Sequence, residues 1–197
     1  MRTWLASLGV LLLGALILHW ATDGNRAFTA ETARRLAVAQ QPRPVPDLAL
    51  QTHTGADTRL RDLQGRLVVA TFIYTRCRSM CPMLGVRMQQ IRRALPAEAV
   101  GQRVHFLSLS FDPGYDTPQR LRAYAQAYGA SADHWWVARP RSGLQPVLDR
   151  LGVVVIPHEG GYRHNAAFYL IDRRGRLVAI LDEQAPERVA QAVRARL

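Results

Sequence analysis

The 197-residue sequence predicts an α/β fold: a mixed central sheet layered with helices, preceded by an N-terminal apolar segment. Three observations predict it. The runs "RLVVATFIYT" and "RVHFLSLSF" are apolar and β-branched almost throughout, as in strands buried on both faces. Helical stretches with recognisable start and stop residues alternate with such strands, which indicates crossover connections. The chain closes with two strands about the turn "DRRG" and a helix, "APERVAQAVRARL", and a terminal hairpin makes the sheet mixed.

Each element has its own justification. Residues 1–21, "MRTWLASLGVLLLGALILHWA", run apolar from Trp4 to Trp20, near the lower limit for crossing a hydrocarbon core of about 30 Å. They read as a transmembrane anchor with Trp at both ends, or as a cleavable signal peptide; the length favours the anchor. Arg2 and the amine place the N-terminus in the cytoplasm, and either reading exports the rest of the chain. In a bacterium the exported domain faces the periplasm from the inner membrane. Residues 22–45 read as a linker, with a short helix in "TAETARRLAVAQ" and a stiff spacer in "QPRPVP".

From residue 46 to 197 the pattern is that of one domain. "DLALQTHTGADTRLRDLQG" alternates with period two about Gly55, as an antiparallel pair does. Leu84, Met88, Ile91 and Leu95 mark a helix over about 80–95 that stops before Pro96. In "DTPQRLRAYAQAYGA", Thr117 is the N-cap, Pro118 the first helical residue and Gly129 the stop. "HWWVAR" is a short strand, and "SGLQPVLDRLG" a helix capped by Ser142. A strand, a pair of cysteines at a helix start, further strand–helix units and a final ββα is the layout of a thioredoxin-like three-layer fold.

Composition excludes several functions. The net charge of +11 comes from arginines spread along the chain without a long basic run, and no nucleic-acid motif accompanies them. No nucleic-acid partner is expected. Two cysteines cannot make a disulfide scaffold, and a four-ligand zinc motif would need more cysteine or a tight histidine pair.

Those two cysteines, Cys77 and Cys81 in "TFIYTRCRSMCPM", are therefore a structural disulfide, a redox dithiol or two thirds of a soft-metal site. They leave the end of a buried strand and enter a helix near Ser79, where loops of α/β sheets present chemistry. The helix terminus, with Arg76 and Arg78, is expected to depress at least one thiol pKa. Redox enzymes of this fold carry two residues between the cysteines; the third here gives the sulfurs room to spread around an ion. Cu(I) takes two thiolates and a neutral imidazole. Of six histidines, His19 lies in the apolar segment, and His53, His105 and His134 are expected to be structural. His158 and His164 flank "EGGY" in a glycine-rich loop, and His164 sits just before the strand "AFYLID", whose entry packs across from the dithiol. His164 is thus the expected third ligand and His158 its rival. Met83 is expected in the core, with a transient copper contact as the sharper reading for it and Met80.

The ordered motifs "FIYTRCRSMCP", "SLSFDPGYDTP" and "YRHNAAFYLID" resemble the Sco/SenC family of membrane-anchored, thioredoxin-fold copper proteins, over Pro46 to the C-terminus. The resemblance implies one copper per chain, as Cu(I) or Cu(II), held by Cys77, Cys81 and His164. It also implies delivery to the binuclear copper A site of cytochrome c oxidase subunit II or another copper-accepting protein. Asp112 and Asp116 match the family's stretch beside the site, although helix capping accounts equally well for Asp116 and Thr117. The chain departs from the family in Arg76, in "RSM" between the cysteines and in Arg163. The main expectation is a metallochaperone. The alternative is a periplasmic thiol–disulfide reductase in which Cys77 and Cys81 are a catalytic redox dithiol and His164 is dispensable. Peroxidase chemistry lacks the proline it would need ahead of Cys77.

Overall fold

The computed structural model describes residues 2–24, 26–77 and 80–197. The chain forms two compact units, Met1–Gln41 and Pro42–Leu197. The first holds helices α1 (Arg2–Ala21) and α2 (Ala30–Gln40). Helix α2 starts where Thr29 accepts a hydrogen bond from the Thr32 N–H at 3.1 Å. Among the described residues no helix is long and apolar enough to cross a membrane. The anchor expected at 1–21 therefore remains a reading of the sequence alone.

The second unit runs through strands β1 (Arg43–Pro44), β2 (Ala49–Thr52), β3 (Asp57–Arg59) and β4 (Leu67–Ile73), then helix α3 (Met80–Arg93). Next come β5 (Val104–Ser110), α4 (Pro118–Tyr128), β6 (Trp135–Pro140) and α5 (Gln145–Leu151). The chain closes with β7 (Val155–His158), β8 (Gly161–His164), β9 (Phe168–Ile171), β10 (Arg176–Leu181) and α6 (Pro186–Arg194). Eight strands form one sheet in the order β1-β10-β9-β4-β5-β6-β2-β3, while β7 and β8 pair separately. Strand β5 lies parallel to β4 and β6, and every other pairing is antiparallel, which is the mixed sheet the sequence predicts.

All seven residues of β4, and all seven of β5, are buried. Successive side chains point to opposite faces, so both faces of the sheet are covered here. Helix α6 buries Pro186, Val189, Ala190 and Val193, a single stripe at helical spacing, and packs with α3. The expected signals of α4 all hold: Thr117 accepts from the Arg120 N–H at 3.4 Å, Pro118 opens the helix, and Gly129 stops it in the left-handed region at φ 67°.

Three segments differ from expectation. Ser142 does not cap α5, whose cap position is Leu144 with no side-chain bond. The "glycine-rich loop" around His158 and His164 is an antiparallel hairpin, β7–β8. In the expected spacer, Arg43–Pro44 pairs with the outer edge of β10, where a proline's missing donor costs nothing because it can face solvent.

This topology defines the edge where chemistry can sit. The loops after parallel β4 and β5 leave at the same end of the sheet. Strand β9, antiparallel to β4, enters at that end: Thr71 Oγ1 donates to the Ala167 carbonyl at 3.1 Å.

Candidate metal centre

The cysteines stand on a loop braced from several sides. After β4 the chain turns, and the Cys77 N–H donates to the Tyr74 carbonyl at 3.2 Å. Cys81 lies in the first turn of α3, and its N–H donates to Cys77 Sγ at 3.3 Å. The Cys81 carbonyl accepts from the Tyr124 hydroxyl of α4 at 3.2 Å. Beneath the loop, the fully buried Asp116 carboxylate accepts from the Thr75 N–H at 3.1 Å and from Thr75 Oγ1 and Ser110 Oγ at 2.5 Å each. Asp116 is thus a brace for the cysteine loop, and Thr117 alone is the helix cap.

Cys81 is not a thiol depressed by the helix terminus and arginines. Burial pushes the Cys81 thiol well above its ordinary range, with Cys77 and Asp116 adding to the rise. Arg76 gives it little relief, because its Nε donates to Asp112 Oδ2 at 2.8 Å. The expected contribution of Arg78, and the helix start at Ser79, fall outside the described residues. No disulfide joins the two thiols. Burial also raises the Asp116 carboxyl, against the pull of its Ser110 and Thr75 bonds.

His164 ends β8, and its two nitrogens have different surroundings. Nδ1 lies 3.2 Å from the Asn165 carbonyl, so it carries the proton and donates it there. Nε2 is then a bare lone pair, buried and, among the described residues, without a hydrogen-bond partner. Burial lowers the imidazole's pKa and keeps it neutral. A ring nitrogen fixed by a backbone carbonyl, with the other left to donate its lone pair, is the arrangement of a metal-ligating histidine.

The structure brings Cys77 and Cys81 together, but His164 stops short of them. Among the described residues, no three His, Cys, Asp or Glu side chains converge closely enough to hold a metal ion. Tyr74 links the two parts. Its carbonyl accepts from the Cys77 N–H at 3.2 Å, and its ring lies edge-on to His164 at 6.2 Å between centroids. The His164 ring also meets Phe111, at 4.9 Å between centroids. Two thiols and one neutral imidazole are a donor set that suits a soft ion.

Elsewhere the histidines behave as expected. His53 is buried and its Nδ1 accepts from the Val137 N–H at 3.3 Å, His105 lies beside Arg66, and His134 pairs with Ser131. His158 is exposed on β7. Met83 corrects its expectation: it is half exposed rather than packed in the core. Sequence reasoning passed over Tyr74, Phe111 and Tyr162, the aromatic seat of His164. The alternation Tyr162–Arg163–His164, which puts the first and last on one face of a strand, is the signal that could have found Tyr162.

The SCO1/SenC family pattern matches residues 37–197. The chain belongs to the SCO1/SenC family. It is 28% identical, over 90% of its length and 86% of the relative's, to a protein of Stutzerimonas stutzeri whose name describes it as copper-binding. Among solved structures it is similar to BsSco, described as a member of the Sco family of cytochrome c oxidase assembly proteins. That match has a TM-score of 0.68 and 25% identity, covering 79% of this chain and 94% of that one. Copper-bound ScoI of Bradyrhizobium japonicum shares the fold, with a TM-score of 0.64 and 24% identity over 78% of this chain and 99% of that one. The thioredoxin-like Sco fold and membership of the SCO1/SenC family are therefore established for this protein.

Proposed function

We propose that this SCO1/SenC protein is a metallochaperone whose cargo is one copper ion, held by Cys77, Cys81 and His164. The copper is passed to the binuclear copper A site of cytochrome c oxidase subunit II. The observation that carries the reading is the buried, unpartnered Nε2 of a neutral His164, on the segment that enters the sheet where the cysteines leave it. The raised Cys81 thiol fits the same reading. A thiol that stays protonated is a poor nucleophile at neutral pH. A metal displaces its proton, and such binding tightens as pH rises. The names of the relatives, one copper-binding and one in oxidase assembly, support the cargo and the recipient.

Anaerobic Cu(I) titration of the reduced protein against a competing chelator tests the site. Wild type is expected to bind one copper per chain, and His164→Ala to bind it at least tenfold more weakly. Equal affinity in both would remove His164 from the site.

The reductase reading draws on the contact between Cys81 N–H and Cys77 Sγ. In it, the two thiols become a Cys77–Cys81 disulfide while a partner's disulfide takes up two electrons and two protons. Unimpaired disulfide reduction by His164→Ala, together with copper binding that ignores the substitution, would favour it over copper transfer.

We further propose that the N-terminal segment holds the protein at the inner membrane with its domain in the periplasm. The exposed apolar side chains of α1, among them Leu11, Val10 and Trp20, support this.

A further inference from the structure

Arg76, immediately before Cys77, reaches two other segments that meet at the candidate copper site. Its Nε donates to Asp112 Oδ2 at 2.8 Å, in the loop after β5. Its guanidinium lies 4.9 Å from the centre of the Tyr115 ring and 5.6 Å from that of Tyr162. Tyr162 belongs to β8, and its hydroxyl donates to the other Asp112 oxygen at 3.4 Å. One arginine thus spans the cysteine loop, the Asp112 loop and the hairpin that carries His164.

Tyr162 is also the residue by which that hairpin is seated. It lies two positions before His164, so both side chains leave the same face of β8. Both meet Phe111 edge-on, Tyr162 at 5.4 Å and His164 at 4.9 Å. The Tyr74 hydroxyl donates to the Tyr162 carbonyl at 3.2 Å and accepts from its N–H at 3.4 Å. The neighbouring Gly161 makes this approach feasible, because a Cβ there would fall 2.9 Å from the Tyr74 oxygen. Seated in this way, the hairpin leaves His164 outside coordinating range of the thiols.

We infer that Arg76 is a positioning residue that clamps the β7–β8 hairpin, through Tyr162 and Asp112, in the seat where His164 stands apart from Cys77 and Cys81. This rests on the reading of those three residues as copper ligands. Copper capture by all three then competes with the clamp, and weakening the clamp raises the fraction of molecules able to close. A partly exposed ion pair over two aromatic rings is a modest interaction, as a latch that must open requires. Lysine cannot replace it, since a point charge lacks the flat guanidinium that bonds a carboxylate while stacking on rings.

The test uses the full chain, reduced, in detergent, with Arg76→Ala and Arg76→Lys made in wild type and in His164→Ala. Arg76→Ala is expected to tighten Cu(I) binding roughly three- to tenfold when His164 is present, and to change nothing when it is absent. Arg76→Lys is expected to resemble Arg76→Ala. An equal change in both backgrounds, or wild-type behaviour from Arg76→Lys, would reduce Arg76 to a nearby charge and overturn the clamp. Hydrogen exchange at the Tyr162 and Arg163 amides of the metal-free protein gives a readout that needs no copper. Faster exchange in Arg76→Ala supports the clamp, and unchanged exchange rejects it. Absence of copper binding in wild type would defeat the proposed function, while the exchange result would still decide the clamp.

Discussion

His105 shows how much a single buried ring can weigh. It is fully buried on β5, with Arg66 Nη1 3.3 Å from its Nδ1 and the Trp136 ring edge-on at 4.9 Å. Burial, helped by the charge of Arg66, holds its pKa at about 3. An unfolded chain returns the ring to its ordinary pKa near 6.5, so below that pH the unfolded state takes up a proton that the folded state refuses. The stability is complete above about pH 6.5 and falls as pH drops from there toward 3, by up to about 1.4 kcal/mol per pH unit. His53, His134 and His164 are shifted in the same direction. Urea unfolding of the metal-free protein is expected to show a clearly lower midpoint at pH 5 than at pH 7.5, with a shallower loss in His105→Gln. Equal midpoints would mean the ring keeps water access. Burial also sets the state of the second cysteine. The motif pointed to the cysteines, and the nearby arginines suggested that at least one thiol is depressed; Cys81 is not that one. Desolvation can shift a fully buried group by several units, roughly 3–5, and at Cys81 it outweighs an arginine already engaged by Asp112.

Elements were legible where local signals agreed. Helix α4 had its cap, its opening proline and its stopping glycine in the right order, and α6 had one apolar stripe. The β7–β8 hairpin was not legible. Pro157 sits within β7, and most of its residues are exposed, so neither alternation nor a β-branched core marked it. Yet that hairpin determines where His164 stands. Helix α1 raises the complementary issue, an apolar element whose exposed side chains call for a partner. Expressed in a bacterium, the full chain is expected to sediment with membranes and resist alkaline carbonate. The unit Pro42–Leu197 alone is expected in the soluble fraction. A full chain recovered in the soluble fraction would contradict the proposed attachment.

At the scale of the whole molecule, the fold was legible because β4 and β5 are buried along their full lengths, and a doubly covered strand leaves an almost unbroken apolar record. The same topology delivers the cysteine loop, the Asp112 loop and the entry to β9 to one end of the sheet. The site that results is a pair of thiols and a neutral imidazole held apart, with the Tyr74 carbonyl bonded to the Cys77 N–H and its ring edge-on to the imidazole. That separation depends on side-chain packing between loops distant in the sequence, which no motif encodes. The proposed three-ligand copper site requires the hairpin to close on the thiols. X-ray absorption on the Cu(I)-loaded, reduced full chain tests this most directly, because it counts the atoms bound to the metal. Two sulfurs and one histidine nitrogen in wild type, with only the nitrogen lost in His164→Ala, is the predicted result. A wild-type spectrum with two sulfurs and no nitrogen, unchanged by the substitution, would contradict the account.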